Sequence, residues 1–389
     1  MPVDHALAVS LLQDLVRIPS VNPDLVPGAP GEADVAAYIA DALRSWGLTV
    51  DVVEAAAGRP NVVATLKGSG GGRTLLFNGH MDTVGVEGMA EPYSGELRDG
   101  RVYGRGAIDM KGSLAATMAA TKALIDDGAQ LHGDVVFTYV ADEEYASLGT
   151  ERVVADIASG RLPRPEAAVN TEPTGLRVGL GHKGFTWVEV TTEGKAAHGS
   201  RPDLGVDAIV KMGKVLVEVD RWQARLEAGD RHPLLGPGSV HASLIDGGRE
   251  MSSYPDRCTL KLERRTVPPE TADTVTAEVG GMLDRLAAAD PTFAASSTVT
   301  FVRNPWQADL GSEIVSTTTV AIATVTDAPA ETMTQTGWLD SALLGDAEIP
   351  TVICGPRGDG LHAVDESVEA ASLGICAEIY EQIIRQFCG

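Results

Sequence analysis

Five separate segments of this chain bring a histidine or a carboxylate to the end of an apolar run or the loop beyond it. The run at Leu75–Phe77 leads into His80 and, two residues on, Asp82. "GRGAIDMKG" puts Asp109 just ahead of a helical pattern. Glu143 and Glu144 follow "DVVFTYVAD", Glu172 follows "AAVN", and His362 follows "TVICGP" after a short loop. Each has an ordinary explanation alone: a loop histidine, an aspartate favoured by a helix N-terminus, a solvated glutamate pair. Converging on one edge, they would repel one another unless cations intervene. Imidazole and carboxylate are zinc ligands. Two divalent metals about 3.5–4 Å apart can share a bridging carboxylate and leave one acid free as a general base for water. One histidine and one glutamate per metal, with an aspartate between, uses this set and leaves a glutamate over.

The elements that must position these residues follow from periodicity. Ala8, Leu11, Leu12 and Leu15 fall at helical spacing and predict a first amphipathic helix ended by Pro19. Helices are expected from about Glu32 to Trp46, from about Lys111 to Asp127, and near residues 149–159. Short apolar strands alternate with them, which predicts an α/β fold with a mostly parallel sheet and helices on both faces. In such sheets ligands bind beyond the strand C-termini. The glycine cluster at 68–72 lacks the ending of a phosphate loop and reads as a hairpin turn between two strands. From about residue 183 the order becomes βαββαβ, a small split-βαβ unit. The expected domains are therefore 1–181 and 304–389, forming one catalytic body, with 182–303 inserted into it. In "CTLKLERRT" the alternation turns Cys258, Leu260 and Leu262 toward the insertion's helices, and Thr259, Lys261, Glu263 and Arg265 the opposite way.

Composition narrows the function classes. With 31 basic and 54 acidic residues the net charge is −23, which disfavours nucleic acid and anionic membranes as partners. No stretch approaches the roughly 18 uninterrupted apolar residues of a membrane span. The four cysteines show no paired spacing, as expected of reduced thiols in a cytoplasmic protein. A serine hydrolase would want a G-x-S-x-G elbow and a zincin an HExxH helix; neither is present.

With "GHMDTV", "GRGAIDMKG", "DEE", "NTEPT", "GLHAVDE" and "AAHGSRPDLGVDAI" together, the chain resembles the dizinc deacylases and exopeptidases that include acetylornithine deacetylase, succinyl-diaminopimelate desuccinylase, aminoacylase-1 and carboxypeptidase G. The resemblance covers nearly the whole chain. It implies two divalent metal ions per subunit, zinc foremost with cobalt or manganese as alternatives. His80 and Glu172 would hold one and Glu144 and His362 the other, with Asp109 bridging. It also implies Glu143 as the unligated base, and Asp82 as the group that fixes a metal-bound imidazole. Which neighbour of the Glu143–Glu144 pair faces the metals rests on the resemblance alone. It further implies a homodimer through the inserted domain, His198 as an oxyanion donor to the other subunit's site, and Arg265 as the grip on a substrate carboxylate. Relatives often have an asparagine where this chain has Ser252, and Gly-Gly-Thr-Asp where it has Gly337 through Asp340, so specificity does not carry over.

The expected function is hydrolysis of the amide bond of an N-acyl amino acid or short peptide, deacylation first. The alternatives are a dipeptidase or glutamate-type carboxypeptidase with the same metal centre and, from another class, a silent binding protein on the same fold. The presence of Glu143 and every expected ligand argues against the last.

Overall fold

A computed structural model describes residues 2–389 and divides them into two compact units. The first comprises residues up to 180, 308–333 and 339–389; the second comprises 181–307 with the short run 334–338. In chain order the first unit opens with α1 (His5–Arg17) and α2 (Ala33–Ser45), then β1 (Thr49–Ala56), β2 (Arg59–Leu66) and β3 (Leu75–His80). A small hairpin follows, β4 (Glu96–Arg98) and β5 (Arg101–Tyr103), then a tight turn at Ala107–Lys111. Next come α3 (Gly112–Asp126), β6 (Val135–Val140), α4 (Leu148–Ala158), β7 (Ala167–Asn170) and β8 (Val178–His182). The second unit carries β9 (Gly184–Glu193), α5 (Ala208–Ala228), β10 (Ser239–Gly247), β11 (Arg257–Thr266), α6 (Ala272–Ala289), β12 (Ala294–Arg303) and β13 (Trp306–Gln307). The chain then forms α7 (Glu313–Thr326), β14 (Thr332–Gln335), α8 (Ser341–Asp346), β15 (Thr351–Ile353), β16 (Gly358–Asp359), β17 (Ser367–Glu369) and α9 (Ala370–Cys388).

The large sheet runs β1-β2-β6-β3-β7-β15-β8. Its four central strands, β6, β3, β7 and β15, are parallel, and its flanks are antiparallel. The parallel core comes from helical crossovers, whereas β1 and β2 are joined by two residues, a connection only an antiparallel pair can use. Alternation along β3 loads both faces. Leu76 packs into a cluster with Val153 and Ile157 of α4 and Leu344 of α8, while Phe77 meets the ring of Tyr380 on α9 at 5.3 Å. α1, α3, α7 and α9 pack against one another.

The expected hairpin at 68–72 is not formed. β6 lies between β2 and β3, because the β3–α3–β6 crossover sets β6 beside β3 and β2 then pairs antiparallel with β6. The glycine-rich loop instead runs along residues 131–134, with the Ser69 amide donating to Leu131 O and the Gly70 amide to His132 O.

The second unit has the antiparallel order β10-β11-β9-β12, the arrangement of a split βαβ. Along β11, Cys258, Leu260 and Leu262 face a core shared with Val215 and Trp222 of α5 and Val279 of α6. The same parity buries Arg264 completely, where it is hydrogen-bonded to Glu270 and Glu278. No described helix is long and apolar enough to cross a membrane.

Candidate metal centre

All four parallel strands deliver a polar side chain at their C-terminal ends. His80 is the last residue of β3, Glu143 and Glu144 follow β6, Glu172 follows β7, and His362 lies beyond β15. β3 connects toward β6 on one side, whereas β7 has β15 on its other side. The crevice between β3 and β7 is thus the switch point where α/β sheets bind ligands, and His80 and Glu172 flank it. Gly79 makes the approach to β3 feasible: a Cβ there would come within 2.5 Å of Thr171 Oγ1 and 2.9 Å of Met110 Cε. That close packing brings the 107–111 turn, and Asp109, over the strand end.

Asp109 stands between two groups. Its Oδ1 is 3.2 Å from His80 Nε2, which is 3.6 Å from Glu172 Oε1. Its Oδ2 is 3.3 Å from His362 Nε2, which is 3.1 Å from Glu144 Oε2. His80, Asp109 and Glu172 form one set whose donor atoms lie within 4.8 Å of one another, and Asp109, Glu144 and His362 form another. The first set is sealed, with His80 1% exposed, and the second opens outward through His362, 54% exposed. Glu143 belongs to neither set.

His80 is oriented from behind. Its Nδ1 is 2.9 Å from the Asp82 carbonyl oxygen, so Nδ1 carries the proton and Nε2 is left with a lone pair toward Asp109 and Glu172. The Asp82 carboxylate, its Oδ1 3.5 Å from the same Nδ1, also fixes the main chain: Oδ1 accepts the amide of Glu143 at 3.0 Å and Oδ2 that of Glu144 at 3.2 Å. It therefore holds the backbone from which these two side chains project.

Burial pushes Glu144 up to about 7, with Asp109 adding to the effect. Burial likewise raises Glu143 and Glu172, against the opposing charge of His80. His362, hydrogen-bonded to Asp109 and Glu144, is pushed up to about 10. Burial opposes ionisation of Asp109, yet its hydrogen bonds to His362 and His80 outweigh that and hold its carboxyl below the usual range. The cluster thus uses protons to balance charge that divalent cations would balance better. Glu144 Oε1 is buried without a hydrogen-bond partner among the described residues. Two mixed imidazole–carboxylate sets sharing one aspartate fit two divalent ions.

Residues to which sequence reading gave no part in the metal centre support the cluster. Glu366 accepts the amides of Gly106, Ile108 and Asp109 and pairs with Arg105 at 2.5 Å. Arg105 in turn donates to the Gly85 and His362 carbonyls. Asp340 is buried, accepts from Thr150 Oγ1 at 2.6 Å, and is pushed up to about 6 by burial; its charge bears on Glu143 and Glu172. It follows no strand, so no end-of-strand signal marks it.

Two expected residues lie in the second unit. His198 is on an exposed loop, where its Nδ1 accepts the Ser200 amide at 3.2 Å. An amide can only donate, so the neutral ring carries its proton on Nε2. Arg265 is on β11 opposite the helices. Its Nε donates to Glu263 at 2.6 Å and its guanidinium lies 5.1 Å from the Phe185 ring centroid.

The model of peptidase family M20/M25/M40 matches residues 76–386. The chain belongs to this family. Among M20 relatives it is 29% identical to succinyl-diaminopimelate desuccinylase of Methylobacterium radiotolerans, over 99% of this chain and 98% of that protein. It is 28% identical to N-formyl-4-amino-5-aminomethyl-2-methylpyrimidine deformylase of Halalkalibacterium halodurans, over 98% and 94%. A tripeptidase of Staphylococcus aureus shares the M20 fold with a TM-score of 0.81 at 21% identity, over the whole of both chains. The Bacillus subtilis YXEP protein, a dinuclear metal-binding peptidase of family M20, aligns at 0.74 and 17% identity over 99% of this chain and 98% of that one.

Proposed function

We propose that this M20 protein hydrolyses the amide bond of a small N-acyl amino acid, releasing the acyl group as carboxylate and the amino acid as free amine. The observation that carries the reading is the bridging placement of Asp109, one oxygen toward His80 and the other toward His362. His80 and Glu172 would hold one divalent ion, Glu144 and His362 the other, and Asp109 both. Two such ions, zinc foremost, supply Lewis acidity at the scissile carbonyl and lower the pKa of water toward neutrality. Glu143, outside both ligand sets, takes the proton of the attacking water on its carboxylate and returns it to the departing nitrogen. His198 presents an Nε2–H donor to the carbonyl oxygen as it gains charge. Arg265 pairs with the substrate carboxylate.

A homodimer through the second unit is part of this reading. β10 is a free sheet edge with Leu244 65% and Ile245 55% exposed, the kind of edge that pairs with another chain. The four cysteines are free and buried, which fits a reducing cytoplasm.

The test is amine release from N-acetyl, N-succinyl and longer N-acyl amino acids, dipeptides and glutamate-terminated amides, with chelated and zinc-reloaded protein. Metal-dependent turnover confined to one acyl series is the expected result. Turnover of dipeptides alone would reassign the chain to peptidase chemistry, and silence with two metals bound would overturn the substrate class.

A further inference from the structure

The Glu143–Glu144 pair is backed by a chain of buried polar contacts extending well behind the ligand sets. Asn22 Nδ2 donates to Asp82 Oδ2 at 2.7 Å and to Asp142 Oδ1 at 3.0 Å. The same Asp142 oxygen accepts Arg59 Nη2 at 3.0 Å. Arg59 grips Glu32 through Nε and Nη2 at 2.7 and 2.6 Å, and its Nη1 reaches Asp24 at 2.5 Å. Asn22, Glu32, Asp82 and Asp142 are sealed from solvent and Arg59 is nearly so.

Stability does not account for this arrangement. Buried ion pairs seldom stabilise more than apolar residues of the same volume would, and here one guanidinium is held between two sealed carboxylates, Glu32 and Asp142, and a half-exposed one, Asp24. Geometry accounts for it better. Asp142 has φ +71°, a left-handed conformation uncommon outside glycine and entered by aspartate more readily than by most residues. Its carbonyl accepts the Ala146 amide at 3.1 Å and the Ser147 amide at 2.5 Å, and its Oδ2 accepts the Leu148 amide at 3.4 Å. This turn carries Glu143 and Glu144, whose own amides are fixed on Asp82. The turn is thus held at two points, Asp142 and Asp82, with Asn22 spanning them and Arg59 anchoring the far end.

We propose that Arg59, Asp142 and Asn22 are positioning residues that aim Glu143 and Glu144, acting through the Asp142 turn and the Asp82 carboxylate. This rests on the roles given above to the two glutamates. None of the three touches substrate or metal; they determine where one carboxylate meets water and the other meets its ion.

Asn22→Ala removes the span between Asp142 and Asp82. With the fastest-cleaved N-acyl amino acid of the panel, kcat is expected to fall about 10–100-fold with KM within threefold, as for other outer-shell changes. Zinc competition is expected to show about tenfold weaker binding of one ion per subunit and unchanged binding of the other. Val279→Ala, a cavity in the second unit's core, serves as a comparator that loses stability without touching this chain of contacts. Wild-type kcat and zinc affinity in Asn22→Ala would overturn the proposal. So would a kcat loss that follows thermal stability equally in both variants. If Asn22→Ala does not fold, Glu32→Gln, which keeps a hydrogen-bonding partner for Arg59, decides by the same readouts. Glu143→Ala is read in parallel. Its retention of full turnover would overturn the assignment of the base, while the zinc affinity of Asn22→Ala still judges the positioning of Glu144.

Discussion

Glu366 Oε1 accepts the backbone amide of Asp109 at 3.2 Å. A carboxylate near the C-terminus therefore fixes the main chain of the residue placed between the two histidines. Its other oxygen is taken by Arg105, itself 3% exposed. Glu366→Ala strands that guanidinium in the interior and is expected to destabilise the protein by about 3–5 kcal/mol. Glu366→Gln, which keeps a hydrogen-bond acceptor, should lose less. Thermal denaturation of the zinc-loaded proteins checks the order, and equal Tm values for both variants and wild type would refute it.

Glu143 and Glu144 are neighbours with different assignments. Glu143→Ala should retain two zinc ions per subunit and lose about 10²–10⁴-fold in kcat, the range for a general base. Glu144→Ala should lose occupancy of one ion. Metal analysis alongside turnover decides this, and the opposite pattern would mean the pair is assigned backwards.

The inserted unit contains a pH-sensitive residue. His182 is buried, donates Nδ1–H to Lys183 O, and stacks on Trp306. Burial pushes it down to about 4 from an ordinary 6.5. The unfolded chain therefore takes up a proton below pH 6.5 that the folded chain refuses until about pH 4. Stability present above pH 6.5 should thus fall through that window, by about 3 kcal/mol in total. His182→Phe keeps a ring and removes the titration, so its stability between pH 7 and 4 should fall less steeply than that of wild type. Parallel slopes in denaturant melts across that range would contradict this.

If His198 serves the opposite subunit, His198→Ala and Glu143→Ala proteins should complement each other. Random mixing makes half the dimers hybrid, each with one intact site, so activity should recover to about a quarter of wild type. No recovery after verified subunit exchange would place His198 in its own subunit's site or in none.

How legible the molecule was in its sequence depends on how local each signal is. His80, Glu143, Glu144 and Glu172 each close an apolar run, so the parallel strands and the cluster at their C-terminal ends could be read together. The βαββαβ order of the insertion was equally local. Long-range partnerships were not: Asn22 meets Asp82 across 60 residues and Asp142 across 120, and each looks like a polar loop residue. The sheet β16-β17-β5-β4 was also invisible, since strands of two or three residues show no alternation. Yet it sets the His362 loop against the segment leading to Asp109. The glycine-rich loop was misread because a turn signal says that the chain bends, and not which strand will lie alongside.

β15 is the parallel strand between β7 and β8, and the loop after it brings His362. Both are synthesised after the entire inserted unit. A nascent chain emerging from the ribosome can complete that unit while the catalytic body still has an open seam beside β7 and lacks one imidazole. Hydrolytic capacity is therefore the last property this polypeptide acquires, and a molecule whose translation stalls before residue 351 should be inert and prone to pairing along that seam.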